Sequence, residues 1–325
     1  MLLRHQRGFR LNVGSGGCLA YHGWSRNAQI LDPVHVPDNL PLPSNGLTGA
    51  VTRLSGHRLL SLRGPDAAVF AQAQFANDVT TLPLRHWQWS AWLSPKGRTL
   101  AVFQLLRIED DHVMLVLADG DADAIASQLQ RFVFRRKLKV ELRSDLGVAG
   151  SFSAPEAASG AAIAQNDPIL ELDVGSDALP RTLWIGPAEA PLAEDAGFAL
   201  AWRQSDLRYG LPRLEADQLE AWTPQQLGLD RLNGYSVKKG CYPGQEIVAR
   251  THFLGKAKRA LQLLRVHDGV ASGASVEQNG AGIGTVASVA GDLALAVLPL
   301  ELAEGALSVG GAEAHPVPLL ERLAR

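Results

Sequence analysis

A run of predicted β-strands interrupted by one helix, between residues 87 and 142, constrains the fold more than any other feature of the chain. Asp121 is a candidate N-cap for that helix, which continues to about Phe132. The predicted strands are Trp89–Leu93, Thr99–Ile108, His112–Ala118 and Lys137–Leu142. Because strands are followed by a crossover helix and a further strand, the pattern predicts an α+β fold with helices on one face of a sheet.

The flanking segments predict further elements of the fold. Ala50–Ser55 and Arg58–Arg63 are typical of a β-hairpin, and Pro65–Phe75 and Phe198–Tyr209 have helical spacing. From Arg259 onward, short apolar runs are separated by glycines, which predicts a small all-β barrel or sandwich.

Three tryptophans lie close together at the start of the strand region. Trp87 and Trp89 share one face of the predicted strand, and Trp92 lies on the other. We expect them to pack in the core rather than to form a ring-stacking site.

Composition indicates an ordinary globular protein. The 325 residues are 46% apolar and 20% charged, which suits two or three domains with a sizeable core.

The two cysteines, Cys18 and Cys241, are far apart and show no disulfide or metal-ligand spacing, so we expect a reducing compartment, the cytoplasm. No apolar run approaches the length of a membrane span. The Arg-rich, acid-free start loosely resembles an organelle transit peptide, although a poorly ordered extension or an upstream start site is the simpler interpretation.

Basic residues are concentrated in two places. One cluster lies between Lys238 and Arg265, where Glu246 is the one acidic residue, and the other lies between Arg131 and Arg143. Such runs are solvated faces in most proteins, but they also suit an anion-binding surface for carboxylates, phosphates or RNA.

A candidate reactive centre lies in the first of these clusters. Cys241 follows Lys238, Lys239 and Gly240, and Pro243 comes just before an apolar-periodic run, as at the start of a helix. Ammonium charge and free backbone N–H groups both favour the thiolate form of a cysteine. The alternative is a buried cysteine that acts as a small hydrophobic residue.

The polar residues after Cys241 leave two interpretations open. Gln245 and Glu246 could orient a ligand or cap the helix. Arg250 lies four residues after Glu246, so it could form a helical ion pair with it or bind a carboxylate ligand.

Eight consecutive residues resemble the hallmark of a known family. Lys239–Glu246 reads Lys-Gly-Cys-Tyr-Pro-Gly-Gln-Glu and resembles the signature of the YgfZ family, folate-binding proteins that support iron–sulfur enzymes and tRNA modification. This family is related to the glycine-cleavage aminomethyltransferase. Further matching segments follow in the family's order: Gln74–Thr80, Leu93–Arg98, Tyr209–Pro212, Thr223–Gln225, Val248–Arg250 and Lys258-Arg259.

The resemblance implies a three-domain, aminomethyltransferase-like α+β ring around a central channel, with a ferredoxin-like module and a C-terminal small β-barrel. The expected boundaries are an extension and linker over residues 1–48, a ferredoxin-like part over 49–150, a second α+β part with the cysteine motif over 151–257, and the barrel over 258–325.

The resemblance also implies a ligand and partners. Tetrahydrofolate or a one-carbon derivative is the implied cofactor, and iron–sulfur enzymes or assembly factors are the implied partners; direct contact with nucleic acid is not expected. Cys241 and Lys239 are at the family's functional positions. The implied cofactor contacts are Lys239, Tyr242, Gln245, Glu246, Arg250 and Arg208. No resident metal is expected.

The chain departs from its transferase relatives at two positions. Ala101 and Val102 stand where those relatives have an aspartate pair with the catalytic carboxylate. Arg208 stands where they have a pterin-binding glutamate, and a guanidinium cannot accept hydrogen bonds from a pterin ring. Folate would therefore bind through altered contacts, or another anionic ligand would replace it.

Three functions follow from these residues. The leading hypothesis is a folate-binding accessory factor for iron–sulfur cluster assembly or repair, with Cys241 as its redox or nucleophilic centre. The alternative is a tetrahydrofolate-dependent aminomethyl transferase, against which the pair Ala101 and Val102 argues. A third hypothesis, an RNA-binding module built on the two basic clusters, lacks a stacking-aromatic motif of the common RNA folds.

Overall fold

The computed structural model describes residues 49–255, 257–321 and 323–325. In chain order, the strands are β1 (Thr52–Arg53), β2 (Arg58–Arg63), β3 (His86–Leu93), β4 (Thr99–Glu109), β5 (His112–Leu117), β6 (Lys139–Leu142), β7 (Leu146–Ser151), β8 (Ala164–Asn166), β9 (Ile169–Asp173), β10 (Thr182–Pro187), β11 (Arg259–Arg265), β12 (Ser275–Gln278), β13 (Ala281–Ala290), β14 (Leu293–Pro299), β15 (Leu307–Val309) and β16 (Ala312–Val317). The α-helices are α1 (Ala67–Gln74), α2 (Ala122–Val133), α3 (Ala196–Arg208) and α4 (Gln245–Phe253).

The first sheet is antiparallel, with strand order β3-β4-β5-β2-β6. Helices α1 and α2 cover one of its faces, where Phe70 and Leu129 pack against Leu60, Phe103 and Leu115 of the strands. Apolar side chains at alternate strand positions point to the same face, which is why one face can be sealed by two helices. The predicted strands, the helix after Asp121 and the placement of helices on one face are confirmed.

The predicted hairpin between residues 50 and 63 is wrong. β1 pairs with β7, where Thr52 faces Gly150, whereas β2 pairs with β5 and β6 in the first sheet. The two segments therefore belong to different sheets, joined by a tight turn in which the His57 N–H donates to the Leu54 carbonyl. A short apolar segment next to a turn predicts a strand, but it does not identify the strand's partner.

The second sheet has strand order β1-β7-β10-β9-β8 and packs against α3. The contact is aromatic: the ring centroid of Phe152 lies 5.3 Å from that of Phe198 and 5.5 Å from that of Trp202. Gly150 makes room for this cluster, since a Cβ atom there would lie 2.7 Å from the Trp202 ring. The helix predicted before Gly210 is confirmed, and Gly210 has the left-handed φ of 70° that ends many helices.

The C-terminal strands form a closed barrel in the order β11-β14-β13-β12-β15-β16. This decides between the barrel and the sandwich that the glycine spacing left open. Gly284 is required by the packing of β13 on β14, because a Cβ atom there would lie 2.5 Å from the carbonyl oxygen of Val297. The barrel is joined to α3 by a hydrogen bond from Gln204 to Asp292, of 2.9 Å.

The largest core cluster draws residues from both sheets, α3 and the barrel. Trp87 and Trp89 lie in it, whereas Trp92 lies in the core under α1 and α2, so the predicted division of the tryptophans is confirmed. Leu323 is buried in the same cluster and accepts a hydrogen bond of 3.0 Å from the Trp89 indole on its backbone carbonyl. Arg325 extends over the Trp87 ring, 5.6 Å from its centroid.

The sequence also predicts an N-terminal extension and a set of domain boundaries. The extension expected over residues 1–48 lies outside the described residues, and the domain boundaries stay a prediction. In the part of the chain that the structure describes, no helix is long and apolar enough to cross a membrane.

The N-cap of α2 provides a direct test of the local structure. The Asp121 carboxylate accepts a 2.9 Å hydrogen bond from the Ala124 N–H, whereas the neighbouring acid Asp123 makes no cap bond. We expect Asp121→Ala to lower the free energy of unfolding by about 1 kcal/mol in urea titrations. Asp123→Ala removes the same charge from the same helical turn and is the matched control. Equal effects of the two substitutions would contradict the cap.

Candidate functional site

Cys241 is exposed on the loop that precedes α4, and a buried lysine fixes this loop from inside. The Lys239 Nζ atom donates to three backbone carbonyls, of Gln72 at 2.6 Å, Phe75 at 2.5 Å and Asn77 at 2.9 Å. An ammonium group has three donors, so all of them are used. Lys239 therefore ties the cysteine loop to the C-terminal end of α1, where a positive charge is favourable.

Burial opposes the positive charge of Lys239, and neighbouring groups support it. Burial lowers the pKa of Lys239 to about 8, and the Asp78 carboxylate opposes that shift only in part. The Nζ atom lies 4.9 Å from the ring centroid of Tyr242, in a cation–π contact. The sequence assigns Lys239 to thiolate promotion and ligand binding; the structure gives it the positioning of the Cys241 loop, and direct contact with a ligand stays a prediction.

Helix α4 begins at Gln245, two residues after Pro243, with Gly244 as its N-cap residue. Gly244 has a φ of 77° and lies against Gly97, where a Cβ atom on Gly244 would be 2.6 Å from the Gly97 Cα atom. The Cys241 segment therefore packs directly on the Pro-Lys-Gly-Arg turn between β3 and β4. Two segments that carry the family resemblance, more than a hundred residues apart in the chain, form one structural unit.

The remaining residues predicted near Cys241 divide into inner and outer groups. The Gln245 amide donates to the backbone carbonyl of Lys239 at 3.2 Å, and the Tyr242 ring is buried beneath the loop. Glu246 and Arg250 are exposed, and within the described residues they form no salt bridge with each other. The helical ion pair left open by the sequence is therefore not formed, and both side chains face solvent.

Arg208 lies away from this group. It is the last residue of α3, and burial lowers its pKa, an effect that Asp292 of the barrel opposes and Arg265 reinforces. The structure therefore brings Lys239, Tyr242 and Gln245 together, and separates Arg208 from them.

Two neighbouring cavities lie in the core, one where both sheets and α3 meet and the other between β4 and α2, and Cys241 lines neither of them. The first, of about 20 Å³, is lined by Trp89, Val102 and Trp202 among its apolar residues. Its polar lining residues are His57, Gln104, Asp119, Arg181, Asp206 and Arg213. The second, of about 80 Å³, shares Val102 and Asp119 with the first. Each admits water-sized groups, so a larger ligand requires the lining side chains to move apart.

The charged residues of the first cavity form a continuous network. Asp206 accepts hydrogen bonds from Arg181 at 2.6 Å and from Arg213 at 2.7 Å on its two carboxylate oxygens. Arg213 also donates through Nε to Asp119. These pairs neutralise charges that would otherwise be costly at this depth.

His57 faces the same cavity and is neutral. Burial lowers the pKa of His57 to about 3, and the Arg213 guanidinium pushes it in the same direction. The side chain is half-buried and lines the cavity. A neutral imidazole presents one donor and one acceptor, which suits a polar, uncharged part of a ligand.

The sequence did not identify the charged residues that line the first cavity. Asp206 and Arg213 flank the matching segment Tyr209–Pro212, so their position in the chain was a usable indication. Asp119 lies just before the predicted helix cap and was indistinguishable from a turn residue. Burial of charged side chains depends on partners from distant segments, which no local pattern reveals.

Comparison with known structures identifies the fold. The aminomethyltransferase T of the Bartonella henselae glycine cleavage system superposes with a TM-score of 0.64, over 83% of this chain and 85% of that chain, at 17% sequence identity. A family model described as the C-terminal β-barrel domain of CAF17 matches residues 258–319. The aminomethyltransferase-like α+β fold with a C-terminal barrel, predicted from the sequence, is confirmed.

Sequence relatives decide the family. The tRNA-modifying protein YgfZ of Vibrio vulnificus is 30% identical over 66% of this chain and 69% of that protein. The chain belongs to the YgfZ family. The human mitochondrial iron–sulfur cluster assembly factor IBA57 is 29% identical over 85% of both chains. Aliivibrio fischeri YgfZ is 27% identical over 81% of this chain and 88% of that protein.

The packing of the YgfZ-family cysteine segment can be tested at two glycines. We expect Gly244→Ala to cost at least about 1 kcal/mol of unfolding free energy, because an alanine is strained at this φ and its Cβ meets the backbone of Gly97. Gly240→Ala, in the same loop, adds a Cβ with no atom within 4 Å and should change stability by less than about 0.5 kcal/mol. Urea unfolding measures both, and a neutral Gly244→Ala would contradict the packing.

The lowered pKa of His57 predicts a pH effect on stability. The pKa of His57 is about 3 in the folded protein and near its ordinary value of 6.5 in the unfolded chain. The unfolded state therefore binds the proton more readily, and stability is lost as the pH falls from about 6.5 towards 3. As the pH falls over that range, we expect the free energy of unfolding to decrease more for the wild type than for His57→Gln. Parallel pH curves from chemical denaturation would contradict a neutral His57.

Proposed function

We propose that this YgfZ-family protein is a folate-binding accessory factor of the cytoplasm that supports iron–sulfur cluster assembly or repair and, through it, tRNA modification. Its ligand is tetrahydrofolate or a one-carbon derivative, and Cys241 is its reacting centre. Iron–sulfur enzymes or assembly factors are its partners. The observation that carries the proposal is an exposed cysteine, held by buried contacts, on an aminomethyltransferase-like fold.

The role in iron–sulfur chemistry is supported by relatives and by the cysteine loop. The human relative is named an iron–sulfur cluster assembly factor, and the bacterial relatives are named tRNA-modifying proteins. Cys241 has the accessibility that a redox or nucleophilic thiol needs. Lys239 and Gly244 fix its loop on two elements of the first sheet region, so the thiol is presented at a defined position.

Folate binding is supported by the fold and by the central cavities. The aminomethyltransferase of Bartonella henselae has the same fold. The first cavity combines aromatic walls at Trp89 and Trp202 with polar groups at His57 and Gln104, a lining that suits a heterocyclic ring with polar edges. Because the cavities are small, binding requires an opening of this region, with the buried charge pairs moving apart.

The alternative function, aminomethyl transfer, is less well supported by the same site. Ala101 and Val102 are buried and apolar, so these two positions offer no carboxylate to a reacting amine. A carboxylate that accepts or stabilises charge on the amine is what the reaction needs from this position. We therefore place the chain among accessory proteins rather than transferases.

Calorimetric titration with tetrahydrofolate tests the folate part of the proposal. We expect saturable binding of tetrahydrofolate or of its formyl or methylene forms. Absence of heat and of thermal stabilisation with all three ligands would contradict folate binding.

Complementation of a strain that lacks its own family member tests the role of the thiol. We expect Cys241→Ser to fold normally and to lose most of the rescue of iron–sulfur enzyme activity, because serine cannot supply a thiolate at neutral pH. Lys238→Ala changes an exposed neighbour and should rescue like the wild type. Full rescue by Cys241→Ser would refute a chemical role for the thiol.

A further inference from the structure

The Asp119 carboxylate lines both cavities from the segment that follows β5. Ala101 and Val102 on β4 are apolar, and Asp119 lies just beyond the end of β5, the neighbouring strand. The antiparallel register pairs Phe103 with Leu117. Asp119 follows two residues after Leu117, the last residue of β5, at the end of the sheet where Ala101 of β4 also lies. Both residues line the second cavity.

Asp119 keeps hydrogen-bonding capacity on the cavity side. One carboxylate oxygen accepts from the Arg213 Nε atom, and the other accepts from the Leu214 N–H at 3.1 Å. Each oxygen of a carboxylate has two acceptor sites, so these bonds leave acceptor sites unused. The side chain retains 19% of its accessible surface and lines both cavities.

Asp206, in the same network, is buried and fully paired, and it provides a comparison for Asp119. Its side chain is 4% exposed, and each of its oxygens is bonded to an arginine. Arg213 pairs with both aspartates, but only Asp119 lines both cavities. Of the two acids, Asp119 is therefore the one that a ligand can reach.

We infer that Asp119, in the segment after β5, is a ligand-binding carboxylate of these cavities, and that it recognises N–H donors on a heterocyclic ring. This inference rests on the proposed folate function and specifies how the pterin is held. A 2-amino-4-oxopyrimidine edge presents adjacent N–H donors, which match the paired oxygens of a carboxylate. Asp119 would thus replace the glutamate whose position Arg208 occupies.

The electrostatics of the site agree with this assignment. Burial raises the pKa of Asp119, and the Arg213 guanidinium opposes the shift. A buried carboxylate of this kind gains from each additional hydrogen bond that compensates for lost water. Ligand N–H groups would supply such bonds when the ring displaces water from the cavity.

A binding cycle over protein and ligand tests the inference. The wild type and Asp119→Asn are each titrated with tetrahydrofolate and with its 2-desamino-2-methyl analogue, which lacks the exocyclic N–H donors. We expect the wild type to bind the analogue about tenfold more weakly, and Asp119→Asn to bind both ligands within about twofold of each other. A structural role for Asp119 would change both affinities by the same factor.

The controls separate the inference from the function on which it rests. Asp145→Asn removes an aspartate from an ion pair with Arg143 on the surface, and it should keep the wild-type discrimination. If Asp119→Asn discriminates as strongly as the wild type, the inference is wrong and folate binding stands. If the wild type binds neither ligand, both are wrong. Should Asp119→Asn fail to fold, Asp119→Glu retains the charge, and the inference predicts that it still discriminates; loss of discrimination there would overturn it.

Discussion

The structure depends on one buried guanidinium, that of Arg213. Its Nε and Nη1 atoms donate to Asp119 of the first sheet region and to Asp206 of α3. Its backbone N–H and carbonyl are both bonded to the Ser288 hydroxyl of the barrel, at 2.9 Å and 2.8 Å. One residue therefore connects three parts of the fold around the cavities. Because removing one partner of such a pair leaves a buried charge, this residue makes the three parts interdependent.

The elements of the fold were predictable where their signals are local. The strands of the first sheet, the Asp121 cap and the end of α3 at Gly210 depend on residues close in sequence, and all three were predicted correctly. The pairing of β1 with β7 was not, because a two-residue strand carries too little pattern to specify its partner. The glycine spacing predicted a small barrel or sandwich, and the pairing of β11 with both β14 and β16 closes the barrel.

The candidate site was predictable in part. The sequence indicated an accessible Cys241 ahead of a helix, and the structure agrees. It did not indicate that the Lys239 ammonium group donates to three backbone carbonyls of the first sheet region. These hydrogen bonds join segments that are more than 160 residues apart in the chain. Nor did it indicate the cavity network of Asp119, Asp206 and Arg213. The thiol and the cavities are separate features, so a ligand in the cavities would act on the loop through shared elements such as β3 and β4.

The most direct test of this account is hydrogen–deuterium exchange with and without tetrahydrofolate. The Leu214 N–H is bonded to Asp119; residues 211–213 and Ala118 line the first cavity, and Leu214 lines the second. If folate enters between the sheets and engages this network, amides over residues 118–120 and 211–214 will exchange more slowly in the complex. Unchanged exchange there, with protection confined to the outer surface of the barrel, would contradict a ligand site at the centre of the fold.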